Sequence, residues 1–303
     1  MRVLHVLDHS LPIHSGYSFR TLKILEQQRR RGIETFHITG VKQGPTEKKI
    51  EESHGLTFYR TPVSSYPWWR VPLLKQWLGI RALRKRLIEC VKETKPALLH
   101  VHSPVLNGLA ALKVAKQFNL PMVYEIRAFW EDAAVDHGTH KEKSLRYRLS
   151  RALESYVVKK AKHVTTLCEG IKGDLLQRGL SQDKITVVPN AVDMEGLPKK
   201  YDRALFEKYE SQWGLKGKFV LGYFGSFYAY EGIDILLEAC AKLQKDAPNL
   251  RVVLAGQGPE EKAIQQKIHD LRLGKMVIYE GPKPHHEMPV LYALCDACVF
   301  PRR

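Results

Sequence analysis

The sequence predicts an α/β fold made of two doubly wound parallel sheets. Short, nearly continuous apolar runs alternate with longer segments of helical periodicity through residues 1–190. The same alternation starts again at Phe219, after a charged intervening segment. Strands that are apolar on both faces and separated by helices are typical of parallel sheets covered by helices on both sides. With 303 residues, the chain is long enough for two such domains.

The elements follow in order along the chain. In the first half, strands are predicted at 3–7, 35–39, 56–60, 98–101, 122–126, 163–166 and 185–188. Helices are predicted there at about 17–31, 72–93, 107–118, 144–160 and 169–178, several of them ending at Gly or before Pro. The second half has predicted strands at 219–223, 251–255, 277–280 and 297–300, and helices near 232–245, 259–272 and 285–294.

The segment 187–193, with the charged stretch after it, is interpreted as a hinge between two domains, residues 1–195 and 196–303. Within it, Asn190 is expected to hydrogen-bond its own backbone. Two facing Rossmann-like domains would place ligands at the carboxyl ends of their strands. A doubly wound sheet normally continues into a crossover helix after a strand such as 297–300. The second domain is therefore expected to be truncated.

Two strand–glycine–helix units lie in the second half. In the first, Gly225 ends an apolar run and helical spacing resumes at Ile233. The second runs through Val252–Glu260 and contains Gly256 and Gly258. Backbone N–H groups and the positive end of a helix dipole favour phosphate at such a turn. A glycine there can also serve only the bend, but two units of one build favour a phosphorylated, nucleotide-linked ligand.

The chain is strongly basic, with 48 basic and 32 acidic side chains and a formal net charge of +16. Such a balance points to nucleic acid, a phospholipid surface or a phosphorylated substrate. Nucleic acid is not expected, because no zinc-finger spacing, RNA-recognition signature or helix-turn-helix pattern is present. Most of the basic excess lies within 66–95 (Arg70, Lys75, Arg81, Arg84, Lys85, Arg86, Lys92, Lys95) and 141–162 (Lys141, Lys143, Arg146, Arg148, Arg151, Lys159, Lys160, Lys162).

The first of these segments has an amphipathic helical pattern. One face is predicted to hold Leu73, Trp77, Ile80, Leu83, Leu87, Ile88 and Val91, with Lys75, Arg81, Lys85, Arg86 and Lys92 away from it. Two alternatives fit this pattern. The helix either packs its apolar side on its own domain, or contacts an anionic bilayer together with the preceding loop, which contains Trp68 and Trp69.

The sequence also predicts where the protein is located. It has no apolar window of about 18 residues and no signal-peptide hydrophobic region, so no membrane-spanning helix is expected. Five scattered cysteines favour a reducing compartment over a disulfide framework. The Cys295-x-x-Cys298 pair has no second pair, which disfavours a metal or redox site. We therefore expect a cytoplasmic protein associated peripherally with the inner face of the cell membrane.

The order of these motifs resembles the retaining glycosyltransferases of family 4, which have the GT-B fold of two facing Rossmann-like domains. The resemblance is carried by 2–7, Gly16, His102, 188–193, Gly225, 231–232, 256–259 and 292–301. The segments 9–20, 125–132 and 225–232 are similar, more narrowly, to the branch associated with exosortase and exopolysaccharide loci.

The resemblance implies transfer of a sugar, with retention, from a nucleotide diphosphate sugar to a glycan or lipid-linked acceptor hydroxyl, in exopolysaccharide or cell-surface glycan synthesis. No cofactor is implied, and the lack of an Asp-x-Asp motif agrees with a metal-independent enzyme. The catalytic residues that it implies are His102, Arg127 and Glu131. The donor-binding residues that it implies are Gly16, Gly225, Ser226, Glu231, Gly232, Gly256, Gly258 and Lys283.

Two departures from the family pattern stand out. Ser226 and Glu231 occupy positions where the wider family has an Arg and a Lys that contact the donor diphosphate. The negative charge of the donor diphosphate would then be neutralised by other groups, namely Arg127, Arg20, Lys283 or the helix N-terminus at Gly232. The family's paired glutamates would fall beyond Arg303, so this chain is expected to be a poor catalyst or inactive.

Several alternatives remain open. Gly16 can be a plain turn residue, His102 a packed histidine, and Arg127 with Glu131 a surface ion pair at helical spacing. At the level of function, the alternatives are a nucleotide-sugar epimerase of GT-B fold and a catalytically incompetent, membrane-associated binding protein.

Overall fold

A computed structural model describes residues 1–13, 15–44, 46, 48–62, 72–132, 144–191 and 201–302. The chain forms two compact units, Met1–Ala191 and Val192–Arg303. Each contains a sheet of parallel strands alternating with helices, which confirms the predicted fold class. The predicted domain boundary at 195/196 and the Trp68-Trp69 loop lie outside the described residues.

The first unit is built on an eight-stranded sheet in the order β3-β4-β2-β1-β5-β6-β7-β8. Its strands are β1 (Arg2–Leu7), β2 (Glu34–Thr39), β3 (Ile50–Ser53), β4 (Leu56–Tyr59), β5 (Leu98–His102), β6 (Met122–Ile126), β7 (His163–Thr166) and β8 (Ile185–Val187). Its helices are α1 (Gly16–Arg30), α2 (Pro72–Thr94), α3 (Val105–Phe118), α4 (Leu145–Lys160) and α5 (Glu169–Gln177). Every strand pair is parallel except β3 with β4.

Strand β3 is an edge strand that the sequence analysis did not predict. It pairs antiparallel with β4, with Ser53 opposite Leu56. The two residues between them, His54 and Gly55, have φ angles of 52° and 70°. Positive φ at both central positions is the geometry of a tight hairpin turn. Because β3 has one apolar residue and lies at an exposed edge, it lacks the apolar run that identified the other strands.

Two separate apolar cores cover the two faces of this sheet. Along β1, Leu4 and Val6 belong to one core, and Leu7 belongs to the other. Helix α3 packs between α2 and α4, so these three helices form one layer over the Leu4 face. Helix α1 covers the opposite face through Leu22 and Leu25. This alternation of side chains along β1 is what a doubly wound sheet requires.

The second unit has a four-stranded parallel sheet in the order β11-β10-β9-β12. Its elements are α6 (Arg203–Gln212), β9 (Phe219–Ser226), α7 (Ile233–Leu243), β10 (Leu250–Gln257), α8 (Glu261–Asp270), β11 (Val277–Glu280), α9 (Met288–Ala293) and β12 (Ala297–Cys298). Helix α6 was not predicted, although Asp202 caps it by accepting from the Leu205 N–H at 3.1 Å. Tyr209 and Trp213 bury its inner face.

Candidate functional site

A buried cluster of charged and imidazole side chains lies at the carboxyl end of the first sheet. Strand pairing places His102 opposite Glu125 and His5 opposite His100. The Glu125 carboxylate is buried; its Oε1 lies 2.9 Å from Arg127 Nε and its Oε2 lies 3.0 Å from His100 Nε2. Arg20, from α1, donates to the same Oε1. Two guanidiniums around one carboxylate leave a net positive charge at this edge.

Arg127 connects this cluster to the start of α1. Its Nη1 donates to the Tyr17 carbonyl oxygen at 3.2 Å and its Nη2 donates to Thr21 Oγ1 at 3.0 Å. Its guanidinium carbon also lies 4.0 Å from the centre of the Tyr17 ring. Arg20 in turn donates from Nε to Asn190 Oδ1 at 2.6 Å. Asn190 therefore accepts from α1. The expectation that it also bonds its own backbone stays a prediction, because residues 192–200 lie outside the described residues.

The contacts of Arg127 fix the proton positions on two buried histidines. Arg127 Nη2 lies 2.9 Å from His102 Nδ1, and a guanidinium can only donate. His102 must then carry its proton on Nε2, which lies 3.1 Å from His5 Nδ1. His5 Nδ1 must therefore accept this proton's hydrogen bond. His5 then carries its own proton on Nε2 and donates it to Gln28 Oε1 at 2.9 Å. The result is a chain of two neutral imidazoles from Arg127 to Gln28.

Electrostatics agrees with these protonation states. Burial lowers the pKa of His102 and of His5 well below the ordinary histidine value, which keeps both rings neutral. For Glu125, burial alone raises the pKa, but the hydrogen bond with His100 and the positive charge of Arg127 outweigh it and hold the pKa below its usual range. The cluster therefore combines an ionised carboxylate with the two neutral rings of His102 and His5.

Glu131 lies in a different, buried environment. Its Oε1 accepts from Arg178 Nη1 at 2.8 Å, and Arg178 also contacts Asp174 and lies over the Phe129 ring. The alternative of a surface ion pair between Glu131 and Arg127 is wrong. Residues 127–129 are not helical, so helical spacing does not bring the two side chains together. Of the three predicted catalytic residues, the structure brings together only His102 and Arg127.

At the carboxyl end of the second sheet, the glycines of β9 and β10 allow two backbone segments to touch. A Cβ on Gly256, which has a φ of +155°, would lie 1.8 Å from the Gly225 carbonyl oxygen. A Cβ on Gly258 would lie 2.4 Å from the Phe227 carbonyl oxygen. Packing alone therefore requires both glycines. Ser226 is the last residue of β9, beside Gly225 at the same edge.

Gly16 differs from these glycines, because a Cβ added there would meet no atom of the described residues within 4 Å. It is the first residue of α1, and the preceding Ser15 caps the helix by accepting from the Ser18 N–H at 3.1 Å. Neither packing nor backbone geometry requires glycine at this position. Its predicted role in the close approach of a phosphate would explain the residue.

Lys283 and Glu231 are both engaged in ion pairs. Lys283 Nζ lies 2.7 Å from Glu280 Oε2, and it also lies over the Tyr209 ring at 5.0 Å. The buried Glu231 carboxylate accepts from Arg302, at 2.8 Å from Nε and 2.9 Å from Nη2. Sequence reasoning missed Arg302 and Glu125. Arg302 had one signal, its place after a strand, at the edge where ligands bind in this class of sheet. Glu125 had another, because it is a charged residue near the carboxyl end of the otherwise uncharged strand β6.

The two basic segments form parts of one helical layer, because α2 and α4 both pack against α3. The exposed basic side chains of this layer are Lys75, Arg81, Lys85 and Lys92 on α2, and Arg146, Arg148, Lys159 and Lys160 on α4. We call these eight residues the basic layer. Exposed apolar side chains accompany them, at Trp77, Leu145, Leu149 and Tyr156. Within the described residues, no helix has the length and apolar character required to cross a membrane.

The helical pattern of α2 needs two corrections. Trp77, predicted on the buried face, is 54% exposed and stacks with Arg81 at 5.5 Å. Arg86, predicted on the solvent side, is buried. Its guanidinium donates to the carbonyl oxygens of Arg60 and Lys49 at 3.2 and 2.8 Å, which satisfies the charge inside the protein. The apolar face at Leu83 and Leu87 does pack on its own domain.

Comparison with known proteins identifies the family. The model of the family described as "Glycosyl transferase 4-like domain" matches residues 15–191, which is more than half of the chain. The chain belongs to this glycosyltransferase family. A second family model, "Glycosyl transferases group 1", matches residues 206–303. The two matches follow the two units seen in the structure.

Individual relatives are distant but extend along the chain. Alpha-monoglucosyldiacylglycerol synthase of Acholeplasma laidlawii is 22% identical, over 98% of this chain and 73% of the relative. A GDP-mannose-dependent alpha-mannosyltransferase of Mycobacterium tuberculosis is 23% identical, over 99% of this chain and 72% of the relative.

Solved structures share the fold. Anabaena HepE in complex with UDP has a TM-score of 0.73 and 17% identity, over all of this chain and 74% of that one. Sucrose-phosphate synthase of Thermosynechococcus elongatus has a TM-score of 0.76 and 18% identity, over all of this chain and 76% of that one.

Proposed function

We propose that this protein transfers a sugar, with retention of configuration, from a nucleotide diphosphate sugar to an acceptor hydroxyl. The observation that carries the proposal is that two glycosyltransferase family models match in order, one over each unit. In both units the polar or glycine-rich groups collect at the carboxyl end of the sheet, which is where doubly wound folds bind ligands.

The second unit is the proposed donor side. Gly225 and Ser226 lie at the carboxyl end of its strand β9, and the chain then leads to the N-terminus of α7, an 11-residue helix that begins at Ile233. The partial positive charge of a helix N-terminus favours a diphosphate. The structural neighbour Anabaena HepE was solved in complex with UDP, which agrees with a nucleotide donor.

The first unit is the proposed acceptor side and holds Arg127 as the proposed catalytic residue and the buried His102 as its positioning residue. Departure of a nucleoside diphosphate builds negative charge, and preorganised donors facing that charge lower the barrier. The net positive charge around Glu125 supplies such an environment without a metal. Because His102 is held neutral with its Nδ1 against Arg127, its part is to orient that guanidinium. Positioning then contributes the larger share of the catalysis.

The acceptor is proposed to be lipid-linked and reached from an anionic membrane surface on the cytoplasmic side. The basic layer supports this, since each Lys or Arg near an anionic bilayer contributes roughly 1 kcal/mol. Leu145, Leu149 and Tyr156 share one face of α4 and would enter the interfacial region. The relative in Acholeplasma laidlawii is named for a diacylglycerol product. The resemblance of 9–20 and 125–132 to the exopolysaccharide-associated branch suggests a cell-surface glycan.

Nucleotide binding is the first test. Calorimetry with UDP, GDP and ADP should show binding of at least one, and the affinity should survive EDTA. A loss of affinity on chelation that Mg²⁺ or Mn²⁺ restores would contradict metal independence. Incubation with nucleotide sugars and no acceptor separates the epimerase alternative, because an epimerase would convert the donor itself. Failure to bind any of the three nucleotides would favour a non-catalytic membrane protein.

A further inference from the structure

Glu231 occupies a position where a donor diphosphate would meet repulsion. It lies directly before Gly232, the N-cap of α7, and its carboxylate is only 7% exposed. A lone carboxylate at this place would be favoured by the helix dipole, but it would offset the dipole's positive potential and repel a phosphate ligand. The structure gives it a partner, since Arg302 binds both of its oxygens in a bidentate pair.

Backbone packing fixes the position of this partner. Strand β12 pairs with β9, with Ala297 opposite Leu221 and Cys298 opposite Gly222, so the chain after β12 runs toward the end of β9. There Gly232, with a φ of +71°, allows close contact, because a Cβ would lie 2.2 Å from the Pro301 carbonyl oxygen. Arg302 therefore follows a segment that packs directly on the turn before α7.

The guanidinium of Arg302 remains accessible to a ligand. Glu231 accepts from its Nε and from one Nη2 hydrogen, and among the described residues no acceptor binds the Nη1 group or the other Nη2 hydrogen. The side chain of Arg302 is 66% exposed, in contrast to that of Glu231. An arginine that is anchored on one edge and exposed on the other is suited to bidentate recognition of phosphate.

We propose that Arg302, positioned by Glu231, is the cationic contact for the diphosphate of the donor. This inference rests on the proposed function and deepens it. In the family pattern, an Arg and a Lys at positions 226 and 231 supply positive charge to the diphosphate. In this chain, Arg302, which follows β12, would supply a positive charge instead. Glu231 acts as a positioning residue, and its own negative charge makes the site depend strongly on Arg302.

The test compares binding of UDP, GDP and ADP with binding of the matching nucleosides by calorimetry at two salt concentrations. The Arg302→Gln variant should bind each diphosphate at least about tenfold more weakly than the wild type, because it loses one charge-assisted hydrogen bond. The affinity should also depend less on salt concentration, because one positive charge is gone. Affinity for the nucleoside should not change. Arg203→Gln is the matched control, because Arg203 also pairs with a glutamate in the second unit but on exposed α6.

Two double variants test the role of Glu231. Adding Glu231→Gln to Arg302→Gln should recover part of the lost affinity, because it removes the uncompensated carboxylate. Adding Glu231→Lys instead should recover more, because it returns a cation to the site. Melting temperatures establish that each variant is folded.

Three results would overturn this inference alone: diphosphate affinity of Arg302→Gln within twofold of the wild type, an equal loss for nucleoside and diphosphate, or a double variant weaker than Arg302→Gln. If the wild-type chain binds none of the three diphosphates, the proposed function fails and this inference fails with it.

Discussion

Replacing Gly16 by alanine separates the needs of the fold from the needs of a ligand. Within the described part of the chain, a Cβ at this position meets no atom within 4 Å, and the residue is the first of α1, directly after its Ser15 cap. Alanine costs less backbone entropy than glycine in a helix, so Gly16→Ala should leave stability unchanged or raise it by up to about 1 kcal/mol. Thermal unfolding would show an unchanged or higher melting temperature.

The effect on the ligand should be opposite. If a donor phosphate approaches the backbone at Gly16, the added methyl group would displace it by roughly 1 Å. A misplacement of that size costs on the order of 100-fold in rate. We therefore expect donor turnover to fall by about 10- to 100-fold, which corresponds to about 1.4–2.8 kcal/mol of transition-state stabilisation.

Gly173→Ala is the matched control, because Gly173 lies inside α5 and a Cβ there also meets nothing within 4 Å. Both variants should be stable, and only Gly16→Ala should lose turnover. If Gly16→Ala transfers sugar as fast as the wild type, the close approach is refuted and Gly16 is a plain turn residue. A loss of turnover accompanied by a lower melting temperature would also contradict the reasoning.

Three further predictions follow from the first unit. Long-range ¹H–¹⁵N spectra should show His102 neutral with its proton on Nε2 from pH 7 to pH 5; an imidazolium or an Nδ1 proton would contradict the hydrogen-bond chain. Burial lowers the pKa of His37 to about 4. Its neutral form thus stabilises the fold above pH 6.5, and this contribution is lost as the pH falls toward 4. Between pH 7 and pH 5, urea unfolding of His37→Gln should lose about 2 kcal/mol less stability than the wild type. In vesicle flotation, the wild-type protein should bind anionic vesicles through the basic layer and should not bind neutral ones. The binding should weaken as the salt concentration rises. Charge reversal at Arg146 and Arg148 should reduce flotation and reversal at Arg203 should not, whereas equal binding to neutral vesicles would exclude the electrostatic account.

Parallel strands were predictable where burial on both faces leaves an uninterrupted apolar run, as at residues 252–255 of β10, which are all buried. The predicted bounds of β6 and β7, 122–126 and 163–166, are those of the structure. Strand β3 was not predicted, because an exposed edge strand needs no apolar run. The His54-Gly55 pair is nevertheless a turn signal in the sequence. Helix α6 was not predicted; it begins at Arg203, where the charged stretch after the predicted hinge ends. Its signals were the Asp202 cap and the apolar spacing that leads to Trp213.

The site was less predictable than the fold, because pair partners distant in sequence decide what a charged side chain does. Arg127 and Glu131 are four residues apart and pair with other residues, Glu125 and Arg178. Glu231 departs from the family pattern in sequence, and only the structure shows that Arg302 compensates it. Strand order and loop packing create these contacts, and neither is encoded in local spacing.

Sugar transfer with retained configuration is the central claim, and proton NMR of the reaction tests it most directly. The protein is incubated with an α-linked nucleotide sugar, chosen by its nucleotide affinity, and with anionic vesicles that contain diacylglycerol as hydroxyl acceptor. Retention predicts release of nucleoside diphosphate together with a new α-anomeric signal in the lipid fraction, in the presence of EDTA. A β-anomeric product, or an epimerised donor without transfer, would contradict it.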